Sequence, residues 1–316
     1  MPTYTQTNVY LSVSTPLGQD KLLLVEVHGE ERISGLFRYT LKMLSEDKNL
    51  SFDNIVGKSA TIALGMVSGD KRYVNGVVAR FYQAGSDGVF TTYYAEIHPW
   101  LWLLTLTSDS RIFQQMSAPD IVAAVFKSLG FADYKLALSK SYLPREYCVQ
   151  YQETAFNFVS RLMEDEGICY FFEHAEGKHT LVLADDASAY APCPGLPGQV
   201  RYQSALPGST QADAITGCTF ERQVTTDGYS MGDFNFEAPT NSLLGNAQDG
   251  GKLGMYEYPG RFSKQDVGNQ KAKVRLESRE APRTLLRGEA FTPAFNPGHT
   301  FTLVGHDRDE VNTTYV

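Results

Sequence analysis

The chain has 316 residues, 42% of them hydrophobic and 20% charged, which is enough apolar material for two or three cores of ordinary domain size. Its 36 acidic residues outnumber the 28 basic ones, and the resulting formal charge of −8 argues against binding to nucleic acid. The first residues lack the basic and apolar regions of a signal peptide, so we expect the chain to start in the cytoplasm.

The first part of the chain reads as a series of strands. The most apolar run, Trp100–Leu106, is too short for a membrane span and is predicted to be a buried strand. In the predicted strand Tyr73–Tyr82, alternation places Tyr73, Asn75, Val77, Ala79 and Phe81 on the core face. We assign residues 1–110 to a first β-barrel domain. Its predicted strands are Tyr10–Thr15, Leu22–His28, Phe37–Leu44, Ser59–Leu64, Tyr73–Tyr82 and Phe90–His98.

Residues 111–190 contain helix patterns as well as strand patterns and are predicted to form a small α+β module. Ser117 and Gly130 bound a first helix. Thr154 and Gly167 bound a second one. The second helix carries one apolar stripe at i, i+3, i+4, i+7 and i+8, formed by Ala155, Phe158, Val159, Leu162 and Met163. Strands Tyr134–Leu138 and Tyr147–Tyr151 and a hairpin from Ile168–His174 to Thr180–Leu183 complete the module.

Residues 191–316 are assigned to a second β-barrel domain that contains a helix and is incomplete at its C-terminal end. A linker at Ala187–Gly198 leads into it, and a loop is expected at Ala238–Gly251. The chain is therefore predicted to be α+β and mainly β. The other predicted elements are strands Ile215–Thr225 and Gly232–Phe236, a charged helix Val267–Ser278, and strands Leu285–Phe291 and Thr300–Val304.

Three segments are candidates for chemical sites. Gly228–Gly232 matches G-x-S-x-G around Ser230, but the flanking sequence predicts strand, turn and strand, not the strand, turn and helix of a serine nucleophile. The pair His174 and His179 is interpreted as part of an exposed hairpin and could supply at best half of a metal site. We assign no catalytic residue, metal ligand or cofactor.

The third segment is a run of acids, Glu164, Asp165 and Glu166, at the C-terminal end of the second helix. The helix dipole disfavours anions there, and Arg161 is placed to offset this by pairing within the helix. We interpret the acids as a solvated helix face. The alternative is that Glu164, Asp165 and Glu166 contact another protein.

The segment around the second helix also resembles the VgrG family of type VI secretion spike proteins. Further matches occur in family order at Ile97–Leu104, Arg111–Gln114, Tyr256–Phe262 and Pro297–Phe301, so the resemblance covers essentially the whole chain. Thr154-Ala155 replaces the usual Ser-Asp, which keeps the capping hydroxyl. The residues that match the densest block are Arg145, Tyr147, Val149, Gln150, Tyr151, Glu153, Phe158, Arg161, Leu162, Glu164, Glu166, Gly167, Ile168, Tyr170 and Phe172.

The resemblance implies a phage baseplate hub-like fold, with two tube-like β-barrel domains around the α+β module. It further implies a homotrimer that adapts a spike to the hexameric Hcp tube, meets baseplate proteins and effectors or their adaptors, and is secreted through the apparatus. The family continues beyond this sequence into an OB-fold and a needle that carries a PAAR tip, so a truncated chain is expected. Two other functions stay open: a phage or pyocin-like tail hub, and a cytosolic serine hydrolase using Ser230.

Overall fold

The computed structural model describes residues 4–203, 213–237, 239–240, 242–248 and 250–316. The helices are α1 (Ala118–Ser128), α2 (Ala155–Glu166) and α3 (Gln265–Glu280). The strands before the second helix are β1 (Leu11–Ser14), β2 (Leu23–Glu30), β3 (Arg38–Ser45), β4 (Ser59–Gly65), β5 (Lys71–Ser86), β6 (Thr91–His98), β7 (Ser108–Met116), β8 (Tyr134–Ala137) and β9 (Arg145–Thr154). The later strands are β10 (Cys169–Ala175), β11 (Lys178–Ala184), β12 (Ala191–Pro192), β13 (Gln199–Arg201), β14 (Ile215–Arg222), β15 (Gly228–Asp233), β16 (Leu243–Gln248), β17 (Gly254–Glu257), β18 (Thr284–Ala290), β19 (His299–Val304) and β20 (Thr314–Tyr315).

The six predicted strands of the first part form one sheet in the order β1-β4-β5-β6-β3-β2. Its two end strands do not pair with each other through their backbones. The Gln6 side chain bridges them, since its Oε1 accepts from Val13 N at 2.9 Å and Leu24 N at 3.0 Å. Its Nε2 donates to Val13 O at 3.2 Å and Leu22 O at 2.8 Å. One side-chain amide therefore closes the seam of a barrel-like sheet.

Strand β5 does not keep the core face that alternation predicts along its whole length. Val74 and Val78 are buried, which is the opposite phase, while Phe81 is buried as predicted. The register against β6 shifts between Val78 and Arg80, and such a bulge adds one residue and reverses the alternation. The prediction for Tyr73, Val77 and Ala79 was wrong because a bulge has no clear signature in one strand's sequence.

The apolar run Trp100–Leu106 is a 3-10 helix, so its assignment to a strand was wrong. Trp100, Leu101 and Leu104 are buried in the main core, and the spacing of one and three residues matches a three-residue turn. The neighbouring strand β7, which was not predicted as a strand, pairs with β9 as a two-stranded ribbon.

The helices of the module begin and end as the sequence predicts. The Ser117 and Thr154 hydroxyls accept hydrogen bonds from the amides of Asp120 and Asn157, which caps α1 and α2. All five stripe residues of α2 are buried in the main core. Gly167 ends α2 with a positive φ of 70°, and a Cβ there would lie 2.7 Å from Val274 Cγ2 of α3. Only glycine satisfies both constraints.

Three small sheets follow in the last part of the described chain. They have the orders β12-β19-β13 with β20 against β19, β14-β18, and β16-β15-β17. Strand β16 lies inside the predicted loop Ala238–Gly251, which was therefore wrong for Leu243–Gln248; positions 238, 241 and 249 lie outside the described residues. Helix α3 covers one face of the β16-β15-β17 sheet and buries Ala272 and Leu276 against Tyr229 and Met231. This small core is separate from the large one.

Candidate functional site

The three acids at the end of α2 lie at the junction between α2 and α3. Asp165 Oδ2 contacts Arg145 at 2.7 Å and Lys271 Nζ at 3.0 Å, and Asp165 Oδ1 lies 3.2 Å from an Arg275 nitrogen. Glu166 contacts Arg145 at 2.6 Å. Glu164 is exposed, and no ion pair is seen for it within the described residues. The acids therefore have different environments, and only Glu164 is an unpaired surface carboxylate.

The charges of this junction compensate one another. Burial raises the pKa of Asp165, but Lys271 and Arg145 outweigh this effect, so the pKa lies below the usual range for a carboxyl group. Asp165 thus stays ionised and ties α2 to a helix about a hundred residues later in the chain. Sequence reasoning missed these partners because no local pattern indicates which distant lysine or arginine an acid meets.

Arg161 does not pair with the acids one turn later, as the sequence predicted. Its guanidinium reaches back to Glu153 at 2.7 Å and donates to Val149 O at 2.7 Å. The Glu153 carboxylate lies just before the N-terminus of α2, where the helix dipole favours an anion. Arg161 therefore clamps α2 to β9, and the predicted ion pair within the helix was wrong.

The two histidines of the β10–β11 hairpin are buried, which corrects the prediction of an exposed pair. Trp100 N donates to His179 Nε2 at 2.9 Å, and His179 Nδ1 lies 2.8 Å from Asn75 Oδ1. Since Nε2 accepts, the proton sits on Nδ1 and His179 is neutral. Asn75 N donates to His174 Nδ1 at 3.1 Å, and His174 Nε2 lies 3.3 Å from Glu31 Oε1. The pair thus fastens the hairpin to the barrel-like sheet.

This burial predicts a pH dependence of stability. Burial and the nearby His174 lower the pKa of His179 to about 3, below the value of about 6.5 expected in the unfolded chain. The unfolded state therefore takes up the proton first, so stability is complete above about pH 6.5 and is lost as pH falls toward 3. We expect His179 to account for a loss of about 2 kcal/mol between pH 7 and pH 5. Urea unfolding at both pH values measures it.

The matched variants for this test are His179→Gln and His28→Gln. The first is expected to be less stable at pH 7 but to lose about 2 kcal/mol less on going to pH 5 than the unmodified chain. The second changes an exposed histidine, whose side chain is 75% accessible, and should leave the fall unchanged. Equal falls in His179→Gln and in the unmodified chain would contradict the assignment.

The G-x-S-x-G segment is strand β15 itself, so the expected turn before a strand at Gly232 was wrong. Ser230 Oγ donates to Asn246 Oδ1 of the neighbouring strand at 2.9 Å. A serine nucleophile needs a strained turn and the N-terminus of a helix, and this serine lies in the middle of a strand. The geometry does not support a hydrolase that uses Ser230.

Within the part of the chain that the structure describes, no helix combines the length and the apolarity needed to cross a bilayer. In those same residues, no three histidine, cysteine, aspartate or glutamate side chains converge as ligands for a metal ion.

The chain is similar to known proteins in sequence and in fold. Residues 30–316 match the phage tail baseplate hub (GPD) family. The type VI secretion system spike proteins VgrG1a and VgrG1b of Pseudomonas aeruginosa are 37% and 38% identical, each over 311 residues. These alignments cover 97% and 96% of this chain but 48% and 42% of the relatives, so the chain spans about half the length of the curated relatives it matches.

Solved structures of low sequence identity show the same fold. The E. coli c3393 protein, a component of the type VI secretion system, superposes with a TM-score of 0.71 at 20% identity, over 96% of this chain and 71% of that one. The 43 kDa tail protein of prophage MuSo2 from Shewanella oneidensis gives a TM-score of 0.60 at 11% identity, over 93% and 88%. The predicted mainly β, hub-like fold class is confirmed. The chain belongs to the phage tail baseplate hub (GPD) family, and over almost its whole length it is similar to the VgrG spike proteins of type VI secretion.

Proposed function

We propose that this chain is the base of a type VI secretion spike, a homotrimer whose role is structural and not enzymatic. The observation that supports this most is the 37% identity to a spike protein over 97% of the chain. In this role the trimer seats the spike on the hexameric Hcp tube, meets baseplate proteins, and carries effectors or their adaptors. A PAAR tip would bind only where a C-terminal needle follows this base.

In this proposal each of the three predicted domains has its own role. Residues 1–110 and 191–316 are the two tube-like barrels that face the Hcp ring, and residues 111–190 are the α+β module around them. The six-stranded sheet closed by Gln6 supports the first assignment. Helices α1 and α2, which lie within residues 111–190, support the assignment of the α+β module. Junctions such as Asp165–Lys271 would then hold the module and the last domain together as one rigid subunit.

The same proposal implies where the protein is made and how it leaves the cell. It is made in the cytoplasm, assembles there with the tube, and leaves through the apparatus. A tail hub of a phage or pyocin-like particle is the second candidate. It is less favoured because the prophage tail protein shares only the fold, at 11% identity, while the spike proteins share 37–38% of the residues.

Light scattering and a pull-down with Hcp rings test the proposal together. We expect a molar mass of three times 35.1 kDa and retention of the chain on immobilised rings. If the chain is a monomer and is not retained on the rings at any concentration tried, the spike-base role is excluded.

Glu164 is the acid we propose as a protein contact, because it is exposed and unpaired in the described structure. Glu164→Lys should weaken ring or trimer binding without lowering the melting temperature. Glu176→Lys, at an exposed glutamate in the β10–β11 turn, is the matched control. Equal binding by both variants would remove Glu164 from the contact surface.

A further inference from the structure

The sheet formed by β16, β15 and β17 has two different faces. Tyr229 and Met231 of β15 point to the face that α3 covers. Gly228, Ser230 and Gly232 alternate with them and point to the other side, which we call the sheet face. The G-x-S-x-G spacing is therefore the small-residue row of a strand surface.

Large apolar side chains flank this row and remain open to solvent. Leu244 on β16 lies opposite Gly232 and is 45% exposed. Tyr256 on β17 lies opposite Ser230 and is 65% exposed. A Cβ at Gly232 would lie 3.1 Å from Tyr256 Cζ and closer still to its hydroxyl, so the tyrosine lies across the glycine. Tyr258, just beyond β17, is 61% exposed. The sheet face thus carries the exposed Leu244 and Tyr256 around a polar pair, Ser230 and Asn246.

A second apolar surface lies on the β7–β9 ribbon. Phe113 of β7 stacks on Phe158 of α2 with ring centroids 5.5 Å apart, so that side of the ribbon is covered. The outward side, which we call the ribbon face, carries Ile112, Tyr147 and Tyr151, which are 60%, 57% and 69% exposed. Of the aromatic side chains that lie within strands of the described residues, three are exposed: Tyr147, Tyr151 and Tyr256.

Two different surfaces are what a closed ring of identical subunits requires. In such a ring each interface is heterologous, so every copy offers one surface to its neighbour on one side and another to its neighbour on the other. Exposed aromatic side chains are also the ones that dominate the cores of protein interfaces. Both faces therefore fit the homotrimer better than they fit a subunit that remains alone.

Charge favours a second copy of this chain as the partner of the sheet face. Lys252 precedes β17 and Arg261 follows Tyr258, and both are exposed with no ion pair in the described residues. The formal charge of −8 means that acidic residues outnumber basic ones, so these two cations suit contact with another copy.

We propose that the sheet face of one copy packs against the ribbon face of a second copy of this chain, an inference that rests on the homotrimer proposed above. Tyr256 and Leu244 then pack against Tyr147, Tyr151 and Ile112.

Two variants test the pairing by sedimentation velocity, with circular dichroism to check the fold. Tyr256→Glu damages the sheet face only, and Tyr151→Glu damages the ribbon face only. We expect the unmodified chain to be a trimer and each variant to be a monomer. An equimolar mixture should form a dimer, since one copy keeps an intact ribbon face and the other an intact sheet face. Val67→Glu, at a turn residue that is 62% exposed, should stay trimeric.

Any other result would contradict the proposal. A trimeric Tyr256→Glu or Tyr151→Glu variant would overturn the interface while leaving the homotrimer standing. Two monomeric variants whose mixture stays monomeric would show that these faces do not meet each other, which also overturns it. If Val67→Glu also loses the trimer, added charge alone explains the dissociation of the variants, and the proposed interface is overturned as well. An unmodified chain that is monomeric at every concentration would instead overturn the homotrimer, and this interface with it.

Discussion

The substitution Gly245→Ala is expected to lower the free energy of unfolding by about 3 kcal/mol or more. A Cβ on Gly245 of β16 would lie 2.7 Å from Gly268 Cα of α3 and closer still to that residue's carbonyl group. Atoms this close overlap, and a backbone cannot turn aside as a side chain can. The helix would have to move away from the sheet.

The cost is large because Gly268 cannot yield either. A Cβ on Gly268 would itself overlap the Phe262 ring, so the backbone of Gly268 is confined between β16 and that ring. Moving α3 outward separates Ala272 and Leu276 from Tyr229 and Met231, which are four of the five buried residues of this small core. It also strains the Asp165–Lys271 contact, which holds the other side of the helix.

Denaturant unfolding measures this effect, and Gly254→Ala is the matched control. A Cβ on Gly254, in the same sheet, comes no closer than 4.0 Å to Gly228 O, so alanine fits there. The control is expected to stay within about 0.5 kcal/mol of the unmodified chain. Equal stability of the two variants would contradict the close approach of α3 to β16.

The sequence predicts best those features that a few neighbouring residues decide. The caps of α1 and α2 were identified because Ser117, Thr154 and Gly167 act within one turn of the helix end. The buried stripe of α2 was also identified correctly, since helical periodicity is a local signal. The six strands of the first sheet follow from the same kind of pattern.

Features that depend on distant residues could not be predicted in this way. Asp165 meets Lys271, and His179 meets Asn75, across about a hundred residues of chain. An exposed hairpin and a buried one have the same turn sequence, so His174 and His179 were placed wrongly. The bulge in β5 and the 3-10 helix at Trp100–Leu106 reflect how neighbouring elements pack. The family resemblance supplied the fold, but it did not supply these contacts.

The second large effect is expected from Gln6→Ala, at a residue that no motif marks. The Gln6 amide serves four backbone groups, two amides and two carbonyls, at the unpaired ends of the six-stranded sheet. Alanine leaves these groups without their partner at a partly buried seam. Each of the four lost hydrogen bonds costs about 1 kcal/mol, and water that enters the seam replaces part of this. We therefore expect the free energy of unfolding to fall by about 3 kcal/mol. Amides of Val13 and Leu24 should also exchange hydrogen faster.

Gln6→Glu separates the role of this amide from that of side-chain bulk. A carboxylate can still accept from Val13 N and Leu24 N, but it cannot donate to Val13 O and Leu22 O and would face both carbonyls with a negative charge. We therefore expect Gln6→Glu to be as unstable as Gln6→Ala at pH 7 and to recover part of the loss at acid pH, where the carboxyl gains a proton. Gln83→Ala, at an exposed glutamine of β5, should change stability by less than about 0.5 kcal/mol. If Gln6→Ala behaves like Gln83→Ala, the seam is held by the strands and not by the amide.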